Sequence, residues 1–457
     1  MLSERAVSID SLFTMAISDL SYYYRKLGKD SIALAYHRRV LPLIGRVTDR
    51  ERYYILTGYY GPSFEFDAQN AFQSAREMVL RYPNSADSHA DLGFLGMYFC
   101  ELSTALEENQ KALAIDSVTD AGSIYNNSGY AAALAGDVAS ALGFFRKSKQ
   151  LRPTYRAIDI YMAHAYWVDE AVDSTERILK EILPVAKPGG ASTHAQLACL
   201  YYSQGRLARA SDECASGIAL CRSGRLAFSE AFLHYLLGEA SFELGDRAGC
   251  TREMRMAEEI ARSPYTDLVL VALSYAAKGN AQAAEKLVRR LQQLNSADPF
   301  FLKRRDDFFH LVQGELSLAH GMTNRAMTEF NAVQKLHCGD PIYFTAQRGA
   351  ARCAALVSDS LGILQFKTLL EHRGELIMGA LLSFPSTGAW TSYILSEAHL
   401  EIGKLYVKQR NTVEVSRHLT AALRYWREAD PSFRKAQEAK ELMAKLQKVW
   451  NGELKKK

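Results

Sequence analysis

The chain is predicted to be all-α: a right-handed solenoid of antiparallel helix pairs, closed by a C-terminal capping helix. Three observations predict it. The block Ala6-Val7-Ser8-Ile9-Asp10-Ser11 recurs nearly unchanged as Ala112-Leu113-Ala114-Ile115-Asp116-Ser117. The segment that the second copy closes carries small Gly93 and, twelve residues on, small Ala105, which fits a helix–turn–helix unit repeating every 34 residues or so. Gly28, Gly136, Gly205, Gly245, Gly279 and Gly321 then fall at one place in successive units, where a positive φ ends the first helix at no cost to glycine. A helix pair cannot bury its apolar face alone and borrows a core from its neighbours. The 457 residues are therefore read as one array, not as several globular domains.

The units follow in order. Residues 1–11 match the end of a second helix, so the chain is expected to open inside an incomplete repeat, with an upstream part missing or separately encoded. The array runs over 12–373. Its first unit has Ser21, Tyr24, Gly28, Ala33, His37 and Val40. A divergent second runs through Tyr59, Ala71, Met78 and Pro83, and the third has Gly93, Ala105 and Ala112. The fourth has Gly129, Gly136, Ala141, Phe145 and Pro153. A fifth, around Ala163 and Tyr166, lacks the turn glycine. Four more carry Ala198 and Gly205, Gly238 and Gly245, Ala272 and Gly279, and Gly314 and Gly321, before a degenerate unit near Gly349 and Leu361. Small residues let the paired helices approach, and the bulky ones fill the space beside them. Asp137, Asp246 and Asn280 follow turn glycines as helix-starting residues should. Pro83, Pro153, Pro264, Pro299 and Pro341 are expected to stop second helices. Residues 374–396 read as an insertion, 397–430 as the last recognisable repeat, and 431–457 as a capping helix with a packing stripe at Leu442, Leu446 and Val449, followed by a basic tail.

Bulk properties narrow the function. Net charge is +4 with the two signs interspersed, which gives no electrostatic case for nucleic acid. No apolar run is long enough to span a membrane, and the residues after Met1 do not form a secretory leader. Seven cysteines without metal-type spacing read as free core thiols in a cytoplasmic protein. No phosphate loop, dinucleotide fingerprint, HExxH or GxSxG is present, so the expectation is a non-enzyme without cofactor or metal. Asn126-Asn127-Ser128 matches a glycosylation acceptor, but it falls inside a predicted helix.

This register resembles that of tetratricopeptide (TPR) repeat proteins and covers nearly the whole chain. Three stretches, Thr48–Ile55, Leu106–Leu113 and Tyr425–Pro431, resemble more narrowly the C-terminal TPR region of bacterial receptor-type serine/threonine kinases and related TPR-bearing transcription regulators. That resemblance implies a regulatory, partner-sensing module attached to a separate output domain. The sequence departs from it in having no kinase or DNA-binding segment.

In a TPR superhelix the first helix of each pair builds the concave wall. The wall positions here hold Tyr22, Arg25, Phe94, Met97, Asn126, Tyr130, His164, Trp167, Tyr202, Tyr235 and Phe242. These residues are aromatic with few charges, and the Lys/Asn clamp with which TPR chaperone adaptors hold a carboxylate is absent. The expected function is an interaction scaffold binding a peptide segment of a protein partner in an aromatic groove. The alternatives are a small-molecule sensor and, last, an enzyme. If the rings face an open groove, Tyr130→Ala with Trp167→Ala should spare stability. The competing reading is that they lie between repeats or under the chain itself. At the other end, Leu12, Phe13 and Ile17 are expected to lack apolar cover.

Overall fold

The computed structural model describes residues 2–27, 29–183, 190–224, 227–261, 267–293, 299–379 and 390–454. Gly28, Pro264 and the basic tail lie outside them. The helices run α1 (Leu2–Ile9), α2 (Thr14–Lys26), α3 (Asp30–Leu43), α4 (Asp49–Tyr60), α5 (Ala68–Arg81), α6 (Ala86–Tyr98), α7 (Leu102–Ile115), α8 (Ala121–Leu134) and α9 (Val138–Leu151). They continue with α10 (Ala157–Val168), α11 (Val172–Ile182), α12 (Gly190–Ser203), α13 (Leu207–Gly224), α14 (Ala227–Glu243), α15 (Arg247–Ile260), α16 (Asp267–Ala277), α17 (Ala281–Gln293), α18 (Pro299–Ala319) and α19 (Thr323–Ala332). The last are α20 (Pro341–Val357), α21 (Asp359–Glu371), the short α22 (Arg373–Met378), α23 (Tyr393–Lys408), α24 (Thr412–Tyr425) and α25 (Arg434–Leu454). From α2 onward they pack as successive antiparallel pairs, interrupted by α22 and closed by α25. The fold is an all-α, TPR-type solenoid. No helix among the described residues is long and apolar enough to cross a membrane.

Local chemistry sets the ends of these helices. Asp137 and Asp246 accept hydrogen bonds from the backbone N–H of Ser140 and Gly249, each cap contributing about 0.5–2 kcal/mol. Thr48 and Glu51 form a reciprocal capping box at the start of α4. Gly136, Gly205, Gly245, Gly279 and Gly321 have φ between +69° and +90° in the turns between paired helices. In the third, fifth and last units the same position is held by Cys100, Glu170 and Arg410, also at positive φ, where a side chain costs about 1–2 kcal/mol. Pro83 and Pro153 follow second helices as expected. Pro299 and Pro341 instead begin α18 and α20, where the missing N–H is no loss.

A polar contact also repeats with the array. His89–Glu108, His194–Glu213, His234–Glu253 and His310–Glu329 join the first helix of a pair to the second at 2.5, 2.6, 2.7 and 2.8 Å. Each pair spans nineteen residues; in the last repeat His418 faces His399 instead.

One apolar core runs from Met97 to Ala439, with Phe433, Ala436 and Ala439 anchoring α25 in it. Leu442 and Leu446 pack against it as the stripe requires; the Val449 side chain lies outside the described residues. The first rungs have small clusters of their own, Ile17–Val40–Ile55 and Ala71–Phe72–Ala75–Leu92–Leu95. Ile17 is therefore fully covered, contrary to expectation, because α3 and α4 close over it. Leu12 and Phe13 remain exposed.

The array turns back on itself. Asp430 N–H donates to the Gly205 carbonyl at 2.9 Å, and the Asp430 carboxylate accepts from Ala208 N–H at 2.8 Å. Cys338 N–H donates to Tyr98 O at 2.7 Å, and Cys338 is disulfide-bonded to Cys100, 238 residues away. The expectation of seven free thiols is corrected: five are buried and carry no disulfide, and two are joined because the array brings the turn before α20 against the turn after α6. The argument from free thiols to a reducing compartment lapses with it.

Two outcomes follow. Alkylation of the unreduced, unfolded chain is expected to modify Cys199, Cys214, Cys221, Cys250 and Cys353 and to leave a Cys100–Cys338 crosslinked peptide in the digest; seven modified thiols would remove the covalent closure. In urea unfolding, His234→Leu should cost about 1–3 kcal/mol, because it leaves Oε2 of the buried Glu253 without its partner while Arg252 holds only Oε1. Adding Glu253→Leu should recover most of that loss; an equal or larger loss would mean the pair is not the cause.

Candidate functional site

The concave wall is filled along its middle by the chain's own residues. Helix α22 lies against α8 and α10, and the 3-10 turn Trp390–Ser392 lies against α12 and α22. Leu376, Ile377 and Met378 are fully buried there, worth about 1.5–3 kcal/mol each. Thr391 Oγ1 donates to Leu376 O at 2.7 Å, and the Tyr130 hydroxyl donates to Met378 O. Glycine permits the contact: a Cβ on Gly374 would overlap the carbonyls of Ala133 and Leu134, and one on Gly339 would overlap Gly379 Cα.

Glu375 fastens this segment. Its carboxylate accepts from Gly339 N–H at 2.9 Å, His372 Nδ1 at 2.7 Å and Lys335 Nζ at 2.7 Å. Burial pushes its pKa up, but these donors outweigh it and bring it to about 2. Cys100, Cys338 and Glu375 are grouped closely enough to suggest a metal site. The two sulfurs are bonded to each other, so the cluster acts as a covalent clamp.

The predicted wall residues therefore divide. Met97, Tyr130, His164, Trp167 and Tyr235 are 0–7% exposed, which corrects their assignment as accessible groove side chains: they are core, covered by α22 and neighbouring rungs. Burial lowers the His164 pKa to about 4, so the ring is neutral. Asn126 is half-buried on α8. Tyr202, Tyr235 and Phe242 line a cavity of about 160 Å³ together with Trp390 and Tyr393. The charges around that cavity are mutually paired: Arg348 with Glu397 at 2.7 Å, Lys435 with Glu397 and, at 2.9 Å, with Glu243, and Lys278 with Glu239. Burial raises the Glu397 pKa, but Arg348 and Lys435 overcome it and hold it at about 2.

Tyr22 and Phe94 are placed differently. They stand on α2 and α6, exposed by 45% and 37%, at a second cavity of about 410 Å³. Tyr23 and Tyr54, also exposed, line it beside them. Arg25 sits at its edge, its guanidinium 4.9 Å from the Phe64 ring centre and its Nε donating to Ser63 O at 3.1 Å. His37 stacks between Tyr59 and Phe64, 4.0 Å from each, and bonds Glu65 at 2.9 Å. Asp19 and Asp91 complete the lining. The wall-position reading missed Tyr54, which lies in the divergent second unit, and both aspartates, which it did not consider.

No known family's sequence profile matches the chain, and no curated protein matches it. Among solved structures it is similar to the MamA protein, with 21% identity and TM-score 0.27 over 38% of this chain and 94% of that one. Yeast Tom70 gives 10% identity and TM-score 0.35 over 95% and 96% of the two chains. The human IFIT1 dimer with m7Gppp-AAAA gives 12% identity and TM-score 0.37 over 90% and 81%. The fold itself stands on the helix pairs and turns described above.

The burial of the middle rings reverses the expected effect of truncating them. Tyr130→Ala and Trp167→Ala should each cost about 3–5 kcal/mol, whereas Tyr130→Phe, which loses only the bond to Met378 O, should cost about 1 kcal/mol. Chemical denaturation of the three variants measures this. Near-native stability of the Trp167→Ala chain would mean that the ring is not core.

Proposed function

We propose that the chain is a non-enzymatic protein–protein interaction scaffold that binds a peptide segment of its partner on the open aromatic wall of α2, α4 and α6. One observation carries the reading. A short stretch of the chain itself occupies the wall of the middle rungs, while the same wall in the first three pairs keeps four exposed rings around a 410 Å³ cavity. Exposed aromatic clusters of this kind mark interaction sites, and rigid rings supply contact area at little entropic cost. The finer role, as regulatory module of a bacterial signalling or transcription system, draws its support from the three resembling stretches. The first of them forms the capped start of α4.

A second reading, small-molecule sensing, is favoured by the 160 Å³ cavity between α14 and α23. A thermal-shift screen of the full chain against metabolites separates it from the first.

Peptides selected by display against the full chain should bind through the open wall. Tyr22→Ala with Phe94→Ala is expected to weaken them roughly tenfold or more, as loss of aromatic anchors does, while stability moves by about 0.5 kcal/mol or less, as for surface positions. Unchanged affinity in that variant would sink the proposal.

A further inference from the structure

We propose that the pocket on the first three helix pairs receives a positively charged side chain, a lysine or arginine presented by the bound peptide. This rests on the peptide-scaffold reading and says what the pocket selects.

The first and third units repeat one short pattern, Asp19-Leu20-Ser21-Tyr22 and Asp91-Leu92-Gly93-Phe94. In each, the leucine goes into the core and the small residue lets the paired helix approach. The aspartate and the aromatic residue of both units then line the same cavity. The pattern thus delivers two carboxylates and two rings to one place, and α4 adds Tyr54 between them. Burial and then the nearby charges of Asp91 and Asp19 raise the pKa of the Tyr54 hydroxyl, so both acids act on it.

Asp91 is the decisive group. Its half-buried side chain lines the cavity, and of its two oxygens the inner one, Oδ2, has no hydrogen-bond partner. Burial and the neighbouring Asp87 raise its pKa to about 7, and burial raises that of Asp19 as well. A carboxylate with a buried oxygen left unbonded is costly, and such a group in a cleft is where a ligand is to be sought. Its natural complement is a cation. The faces of Tyr22, Tyr23, Tyr54 and Phe94 suit the same ligand, since aromatic faces attract ammonium and guanidinium groups. The chain already uses that contact beside the pocket, with Lys26 Nζ 5.2 Å from the Tyr22 ring centre. A peptide carboxylate would meet the wrong charge here.

The remaining titratable groups facing Asp91 from the packed helices are Asp19 and Lys26 on α2, His37 on α3, Tyr54 and Tyr59 on α4 and Asp87 on α6. Burial lowers the His37 pKa and raises those of the tyrosines, so these stay neutral near pH 7. A bound cation favours ionised Asp91, so affinity should rise as pH increases through about 7 and then level off.

The test uses the full chain and four capped pentapeptides, Ala-Ala-X-Ala-Ala, with X lysine, arginine, norleucine or glutamate, measured by calorimetry. Lysine and arginine peptides should bind in preference to the other two. Asp91→Asn should weaken them roughly tenfold, as loss of a charged partner does, and should abolish the pH dependence. Glu107→Gln, an exposed acid on α7, should change nothing. Asp91→Asn should also raise the melting temperature of the free protein, because it removes an acid whose buried oxygen is unbonded; if that variant fails to fold, Asp19→Asn is measured in its place. Equal binding of the norleucine peptide overturns the charge selection and leaves the scaffold reading standing. Binding of display-selected peptides but none of the four also overturns it, and failure of both sets removes both readings.

Discussion

Glu375 joins parts of the chain that are far apart in sequence. It takes a hydrogen bond from the turn before α20 and holds Lys335 and His372, all beside the disulfide from the turn after α6. A carboxylate buried this deeply is tolerable only with charged and N–H donors around it, and those donors fix where α22 can sit. With α22 in place, Leu376, Ile377 and Met378 must cover the wall of α8 and α10. Gly339, Gly374 and Gly379 follow from the same constraint, because the backbones touch. The filled middle of the superhelix is thus a consequence of one anchored segment.

The open end has the complementary explanation. Six helical residues reach only about 9 Å, so α22 covers the neighbouring rungs and stops short of α2 and α4. Those first pairs bury Ile17, Val40 and Ile55 in a cluster of their own and need no help from the rest of the array. Nothing in that cluster calls for the rings at Tyr22, Tyr23 and Tyr54 to be covered. They remain at the surface beside an aspartate that packing alone would not place there.

What was legible in the sequence was what one repeat decides by itself. The turn glycines, the Asp137 and Asp246 caps and the small residues at Gly93 and Ala105 act within a single unit of about 34 residues, so their spacing shows. The recurring His–Glu pairs, nineteen residues apart in four units, and the doubled Asp-Leu-small-aromatic pattern stand in the sequence too, but show only with the helices in place. The closure was not legible. Tyr130 meets Met378 across 248 residues, and Cys100 meets Cys338 across 238; no period links such positions. Tyr130 and Trp167 therefore looked like groove residues on the same rule that placed Tyr22 and Phe94, and only the returning segment separates the two sets.

The closure did leave one trace. The turn between paired helices wants glycine, because its φ is positive. Cys100, Glu170 and Arg410 break that rule and carry the strain. The first two spend their side chains on the returning segments: Cys100 bonds Cys338, and Glu170 binds Arg373 at 2.7 Å and Arg424 at 3.2 Å. Glycine at either turn would relax the backbone and lose the tie. At these two positions the local rule fails because the long-range contact has the stronger claim. In a repeat array this gives a way to look for contacts that the period cannot reveal, since every unit supplies the expectation against which a departure is seen.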